Sequence, residues 1–136
     1  MMFFHRWVID PNVLISYCIS ARLHELPILI EKYNLEFCAN ETLLVEFSNV
    51  ITREKLKKYL SNEPGYYKEI MSTFLSLYNT QIYFKGSPDT NDDYLIDIVQ
   101  QTSAVGLVTG DRILLRWRNP PVQIISWKDF QRTYPA

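Results

Sequence analysis

The sequence lacks the features that would send it out of the cytoplasm. No apolar run approaches the roughly 20 residues that cross a bilayer, and the start, MMFFHRWVID, has no basic segment followed by an apolar one. Cysteine is scarce, and Cys18 and Cys38 both lie in apolar context, which is typical of buried free thiols in a reducing compartment. We therefore expect a soluble cytoplasmic protein without a signal peptide.

An excess of positive charge is also absent, since the formal net charge is -1. This balance excludes binding to nucleic acid through overall basicity and leaves room only for a local basic stripe. What the sequence does contain is apolar surface. Hydrophobic residues make up 47% of the 136 residues, which is enough for a core and fits a single domain over residues 1–136.

Short apolar runs alternate with segments of helical spacing. The predicted strands cover residues 6–9, 35–39, 81–84, 105–108 and 122–125. Helices are predicted in the segments between the first four strands and after the fifth, including one over residues 66–77 and one that Asn40 caps. This alternation predicts an α/β protein, a three-layer α/β/α sandwich with a central, mainly parallel five-stranded sheet.

Acidic residues stand at the ends of several of these elements. Asp10 directly ends the first buried strand, where a carboxylate needs a partner. Glu46 lies among apolar residues on a predicted helix, and Asp111 follows the fourth strand. The stretch SPDTNDDYLI adds three further acids at the start of a helix, namely Asp89, Asp92 and Asp93.

Each acid taken singly has an ordinary structural explanation. Glu46 is equally well explained as a charge on the polar face of its helix. Asp92 and Asp93 suit the first turn of a helix, where the helix dipole favours negative charge. Asp111 is equally typical of a turn. Asp10 is the hardest of these acids to explain as a structural residue.

The acids are more informative as a group, because the predicted sheet should bring them together. In a parallel sheet Asp10, the helix start at Asp92 and Asp111 meet at one edge. Two carboxylates about 4 Å apart repel by about 4 kcal/mol at an effective dielectric of about 20, so the group requires protons or a cation. The two histidines, His5 and His24, cannot be placed at that edge. An oxygen-only ligand set favours Mg²⁺ or Mn²⁺, and such ions commonly act on phosphodiesters.

The residues in question occur in a familiar order. The stretches VIDPNVLIS, LLVEFSNVITREKL, DTNDDYLI and VTGDRILL follow one another at the spacings of one family. Over nearly its whole length the chain resembles the PIN domain family, the metal-dependent ribonuclease fold of VapC-like toxins. Within that family it most resembles the subfamily of toxin components from toxin–antitoxin pairs.

The resemblance implies roles for individual residues. The residues that it assigns to metal binding and catalysis are Asp10, Glu46, Asp92 and Asp111. Those expected to support the site are Asn12, Asp89, Asp93 and Thr109. The chain departs from the family pattern at Pro11, where the family usually has threonine or serine, and at Asn91, where many relatives are acidic.

The resemblance implies a Mg²⁺- or Mn²⁺-dependent endoribonuclease that cleaves single-stranded RNA and pairs with a small antitoxin protein. Similar toxins often dimerise, so a homodimer is one expected assembly. Arg112 and Arg116 follow Asp111 closely and are the expected RNA contacts, whereas the lysines of TREKLKKYL are better explained as a solvated face.

Other functions fit the same sequence less well. A catalytically silent PIN-like module that binds RNA or protein would not need all four principal acids. A DNA nuclease of this fold would usually carry additional DNA-gripping elements, for which 136 residues leave no room. A phosphoacceptor receiver domain would need an acidic pair near the first strand, where Asp10 stands alone.

Overall fold

The computed structural model describes residues 4–136 and contains one five-stranded sheet. Its strands are β1 (His5–Ile9), β2 (Leu35–Ala39), β3 (Leu75–Leu77), β4 (Gly106–Thr109) and β5 (Ile124–Ser126). Their order is β3-β2-β1-β4-β5, and all four pairings are parallel. The predicted α/β class with a central parallel sheet is therefore confirmed.

Helices connect the strands, and local sequence explains where they begin and end. They are α1 (Pro11–Ile19), α2 (Glu25–Tyr33), α3 (Glu41–Ile51), α4 (Pro64–Phe74), α5 (Asp93–Thr102), α6 (Arg112–Leu115) and α7 (Trp127–Thr133). The predicted cap at Asn40 is confirmed, because its Oδ1 accepts a hydrogen bond from the Leu43 N–H at 2.9 Å. Asn34 ends α2 in the left-handed conformation that asparagine tolerates.

Helices cover both faces of the sheet. From β1 to β3 the chain steps in one direction, and it then crosses back to β4, so right-handed crossovers place α5 on the face opposite α1–α4. On one face the Phe37 ring contacts Phe74 of α4 and Phe130 of α7. On the other face α5 packs across β1, β2 and β4. Phe37 and Phe130 are fully buried, and each such side chain contributes about 1.5–3 kcal/mol.

The third strand is not where the sequence predicted it. Residues 81–84, QIYF, have strong β-propensity but pair with no strand in the described chain, and the strand is Leu75–Leu77. The N–H groups of Tyr83 and Phe84 donate instead to the carboxylate of Asp97 on α5. A side chain thus satisfies the backbone that a neighbouring strand would otherwise pair. The predicted helix over residues 66–77 ends earlier, at Phe74, because Leu75–Leu77 pair with β2.

The last two strands, β4 and β5, begin or end one or two residues away from their predicted bounds. β4 begins at Gly106 and includes Thr109, and β5 begins at Ile124. Gly106 lies so close to β5 that an added Cβ would stand 2.6 Å from the Gln123 carbonyl oxygen. Only glycine permits this approach of the two strands, and the short helix α6 that follows β4 was not predicted.

Two further expectations from the sequence concern membrane segments and the cysteines. Within residues 4–136 no helix combines the length and apolarity that a membrane crossing requires. Cys18 and Cys38 are both free and buried, as predicted. Burial raises the pKa of the Cys18 thiol to about 12 and that of Cys38 to about 11. Both thiols are therefore protonated and unreactive at neutral pH.

Candidate active site

Asp10 is the buried centre of the acidic cluster. It follows β1 and caps α1, and only 4% of its surface is exposed. Its Oδ1 accepts from the backbone N–H of Asn12 at 2.9 Å, and its Oδ2 accepts from the Thr109 hydroxyl at 2.8 Å. Pro11 opens α1, where its missing N–H costs no hydrogen bond. The carboxylate that ends the first strand is thus held at both oxygens.

Thr109 joins Asp10 to Asp111. Thr109 is the fully buried last residue of β4, the neighbour of β1, and its Oγ1 accepts from the Asp111 N–H at 3.1 Å. The Asp111 Oδ1 accepts from the Ile113 N–H at 2.8 Å and so caps α6. Because β1 and β4 are adjacent and parallel, the two acids that follow them lie at the same edge of the sheet.

Glu46 reaches this edge from α3. Its side chain is half-buried, and its Oε2 accepts a hydrogen bond from the Tyr94 hydroxyl on α5. The bond ties the helices on opposite faces of the sheet to each other at the cluster. Tyr94 was not among the predicted site residues. The position of a tyrosine in a helical pattern does not reveal which group its hydroxyl contacts. The sequence therefore contains no signal for this hydrogen bond.

The acids of the third motif separate into two groups. Asp92 is half-buried and lies directly before α5, facing the cluster. Asp89 orders the turn before it, since its Oδ1 accepts from the Asn91 N–H at 3.0 Å. The Asp93 carboxylate accepts from both the N–H and the hydroxyl of Ser87. Asp93 therefore holds the preceding loop and does not point into the cluster.

Burial and mutual repulsion set the protonation of the cluster. Burial, together with the negative charges of Asp10, Asp89, Asp111 and Glu46, raises the pKa of Asp92 to about 7. Burial also raises the pKa of Asp10, against the lowering effect of its two hydrogen bonds. The pKa of the Tyr94 hydroxyl is raised by burial and by its bond to Glu46. The pKa values of Asp10 and Asp92 therefore respond to the charges of neighbouring acids.

The donor set fits a hard divalent cation by its chemistry. Four carboxylates repel one another at one edge, and no histidine or cysteine belongs to the group. As they stand, no three Asp, Glu, His or Cys side chains in residues 4–136 are arranged to chelate an ion. Asp10, Glu46 and Asp111 each direct at least one oxygen to a protein donor.

The predicted RNA contacts lie beside the cluster. Arg112 in α6 and Arg116 directly after it are both exposed, and neither forms an ion pair within residues 4–136.

The Asn12 side chain is exposed as well, so the support that Asn12 gives to Asp10 comes from its backbone N–H. A groove of about 380 Å³ runs between α1 and Asp111 and reaches Trp127.

Comparison with known proteins bears on the family and the fold. The family model described as PIN domain matches residues 6–113, most of the chain. Among solved structures, VapBC2 from Rickettsia felis, bound to a DNA fragment from their promoter, contains a chain of similar fold. The TM-score is 0.61 at 15% identity, and the match covers 90% of this chain and 98% of that one. No curated protein matches the sequence.

Proposed function

The chain belongs to the PIN domain family, whose members are generally nucleases, and from that premise we propose that it is a metal-dependent endoribonuclease acting on single-stranded RNA. The observation that carries the proposal is the convergence of Asp10, Glu46, Asp92 and Asp111 at the carboxyl edge of the sheet. Incubating defined single-stranded RNAs with the protein and Mn²⁺ or Mg²⁺ tests it. Internal cleavage that a chelator abolishes is expected, and intact RNA under all conditions would contradict the proposal.

The four acids are the residues that would hold the ion. A bound Mg²⁺ or Mn²⁺ would supply Lewis-acid stabilisation of charge on the phosphodiester and would activate water. The chain's own contribution is orientation. Thr109 and the Asn12 N–H fix Asp10, Tyr94 fixes Glu46, and the Ile113 N–H fixes Asp111. These hydrogen bonds restrict the orientations that the three carboxylates can take.

Loss of the Tyr94 hydroxyl is expected to weaken the site without unfolding the protein. In Tyr94→Phe the ring keeps its packing, but the Glu46 carboxylate loses its donor. We expect cleavage to fall about 10–100-fold, as for other residues that orient metal ligands, and the half-maximal Mn²⁺ concentration to rise. Metal titrations of the cleavage rate measure both effects.

The matched control is Tyr67→Phe, which removes a tyrosine hydroxyl that bonds to the Asn62 N–H on another part of the fold. That variant should keep the wild-type dependence on Mn²⁺. If the metal titration of Tyr94→Phe is the same as that of the wild type, the Tyr94–Glu46 bond contributes only to folding and does not orient a metal ligand.

Removing the two arginines beside the cluster should weaken binding of RNA in a salt-dependent way. Each phosphate contact on a single strand contributes about 0.7 to the slope of log affinity against log salt concentration. The double replacement Arg112→Ala and Arg116→Ala should therefore reduce the slope by up to about 1.4. The slope is measured from RNA binding at several salt concentrations.

A charge-matched control is the double replacement Lys55→Ala and Lys58→Ala. These lysines are exposed and lie in the 3₁₀ turn Glu54–Tyr59, away from the cluster. The control should leave the salt slope close to that of the wild type. If the two double variants show the same slope of log affinity against log salt concentration, Arg112 and Arg116 are not RNA contacts.

We further propose that the protein is the toxin of a cytoplasmic toxin–antitoxin pair. The resemblance to VapC-like toxins and the fold shared with a chain of VapBC2 support this pairing. The two buried free thiols accord with a reducing compartment. The partner would be a small protein encoded beside this chain, and co-expression of the two followed by purification of one tests for a stable complex.

A further inference from the structure

A polar groove of about 450 Å³ opens beside the acidic cluster, beyond the carboxyl ends of β2 and β3. We call it the amide groove and define it by Asn40, Asn79, Thr80, Gln81, Tyr94 and Asp97. Tyr94 belongs to both sites, because its ring lines the groove and its hydroxyl bonds to Glu46. A molecule in the groove is therefore separated from Glu46, one of the four acids, by the Tyr94 side chain.

The outer wall of the groove is held rigidly although it is not a strand. The Tyr78 N–H donates to the Ala39 carbonyl at 2.8 Å, and the Asn40 amide donates to the Thr80 hydroxyl at 2.8 Å. The Gln81 N–H donates to the Gln101 side chain at 2.8 Å. A wall that is already ordered loses little conformational entropy when it binds a ligand.

Fixing the backbone of this wall leaves its side chains available. Asn79 and Gln81 are exposed, and the hydrogen bonds found for Gln81 use only its backbone. A primary amide carries a donor and an acceptor side by side, which is the pattern on the edge of a nucleobase. Next to them the Ile82 side chain is 91% exposed and supplies an apolar surface.

The charge of the groove selects the part of a nucleotide that enters it. None of the residues lining it is basic, and two of them, Glu41 and Asp97, are acidic. The Asp97 carboxylate already accepts from the Tyr83 and Phe84 N–H groups. Such a surface does not attract a phosphate but is compatible with a neutral, polar base. The volume falls in the range of ligand pockets, roughly 300–1,000 Å³.

We propose that the amide groove binds one nucleobase of a single-stranded RNA, adjacent to the phosphodiester that is cleaved, and that Asn79 and Gln81 recognise the edge of that base. The inference rests on the proposed ribonuclease function and names a specificity site for it. Preference for a base at one position next to the cleaved bond would follow from these two amides.

The test compares the double variant Asn79→Ala and Gln81→Ala with Gln100→Ala, an exposed amide of α5 that does not line the groove. Substrates are oligoribonucleotides that differ in the single base next to the cleaved bond. We expect the double variant to lose the base preference of the wild type and to raise KM about tenfold, with little change in kcat. A double variant with the KM and base preference of Gln100→Ala overturns the proposal.

A binding measurement separates this inference from the ribonuclease proposal. Fluorescence anisotropy with a labelled single-stranded RNA is recorded in chelator, so that it requires no cleavage. If the wild type cleaves no RNA, the ribonuclease proposal fails, and the groove is then judged by affinity alone. About tenfold weaker binding by the double variant, relative to Gln100→Ala, supports the base site. Equal affinities of the two variants overturn it.

Discussion

Asparagine in place of Asp10 should lower the rate of RNA cleavage by about three orders of magnitude while leaving the fold intact. The change keeps an oxygen for one of the two donors to this side chain but removes its negative charge. Glu46→Gln, Asp92→Asn and Asp111→Asn should have losses of similar size. Because the four acids act as a unit, a double variant should be little worse than either single one.

Cleavage rates of a defined RNA with saturating Mn²⁺ measure this effect. Asp129→Asn is the matched control, since Asp129 is an exposed acid of α7 whose ion pair to Arg132 lies outside the cluster. It should cleave like the wild type. Near-wild-type cleavage by Asp92→Asn would contradict the assignment of Asp92 to catalysis. Thermal melts show whether a variant that has lost activity is still folded.

The second large expected effect concerns stability and has the opposite sign. A replacement that lowers the cleavage rate is expected to stabilise the fold. At pH 8 in chelator, Asp92→Asn should be more stable than the wild type, because it removes one of several repelling charges. No side-chain hydrogen bond to Asp92 occurs within residues 4–136, so the replacement sacrifices none there. Asp10→Asn should also gain stability, although its two hydrogen bonds reduce the gain.

The sign follows from the raised pKa of Asp92. Its folded value of about 7 exceeds the unfolded value of about 3.9, so between these values the folded state binds more protons. The free energy of unfolding therefore decreases as pH rises from about 4 to about 7, and the full penalty is present at pH 8. If the whole difference between the folded and unfolded pKa of Asp92 is converted into free energy, the penalty is about 4 kcal/mol. Asp92 is half-exposed, so solvent screening reduces this penalty to about 2 kcal/mol.

Metal should restore the stability that charge repulsion removes. At about 100 times its dissociation constant, Mg²⁺ or Mn²⁺ should stabilise the wild type by about 2.7 kcal/mol and Asp92→Asn by much less. Thermal melts of both proteins and of Asp129→Asn, in chelator and in metal at pH 5 and pH 8, give the comparison. If metal adds nothing to the wild type and Asp92→Asn melts lower in chelator, the acids serve the fold alone.

The central strands and the acids that follow them could be predicted because both signals are local. A continuous apolar run ended by Asp10 or followed by Asp111 predicts a buried parallel strand and a charge at its end. β3 could not be predicted in the same way. Its three residues continue the apolar pattern of α4, while the stronger β-signal of residues 81–84 is satisfied by Asp97 from a distant helix.

Side-chain partners form the other part that the sequence did not reveal. The bond between Tyr94 and Glu46 depends on how α5 lies against α3 across the sheet edge, which no spacing within either helix reports. The division of labour between Asp92 and Asp93 is similar. The two are adjacent in sequence, and only the position of Ser87 decides that Asp93 is used by the loop.

The strand order also determines when during synthesis the acidic cluster forms. The hydrogen bond between Asp10 and Thr109 joins residues 99 positions apart, whereas β1, β2 and β3 pair in the order in which they leave the ribosome. Pairings of long sequence separation close late, because the intervening chain must first be ordered. A nascent chain that has not yet released β4 therefore has a growing hydrophobic core but lacks both Thr109 and Asp111. The complete set of acids appears only after β4 and the residues that follow it have been synthesised.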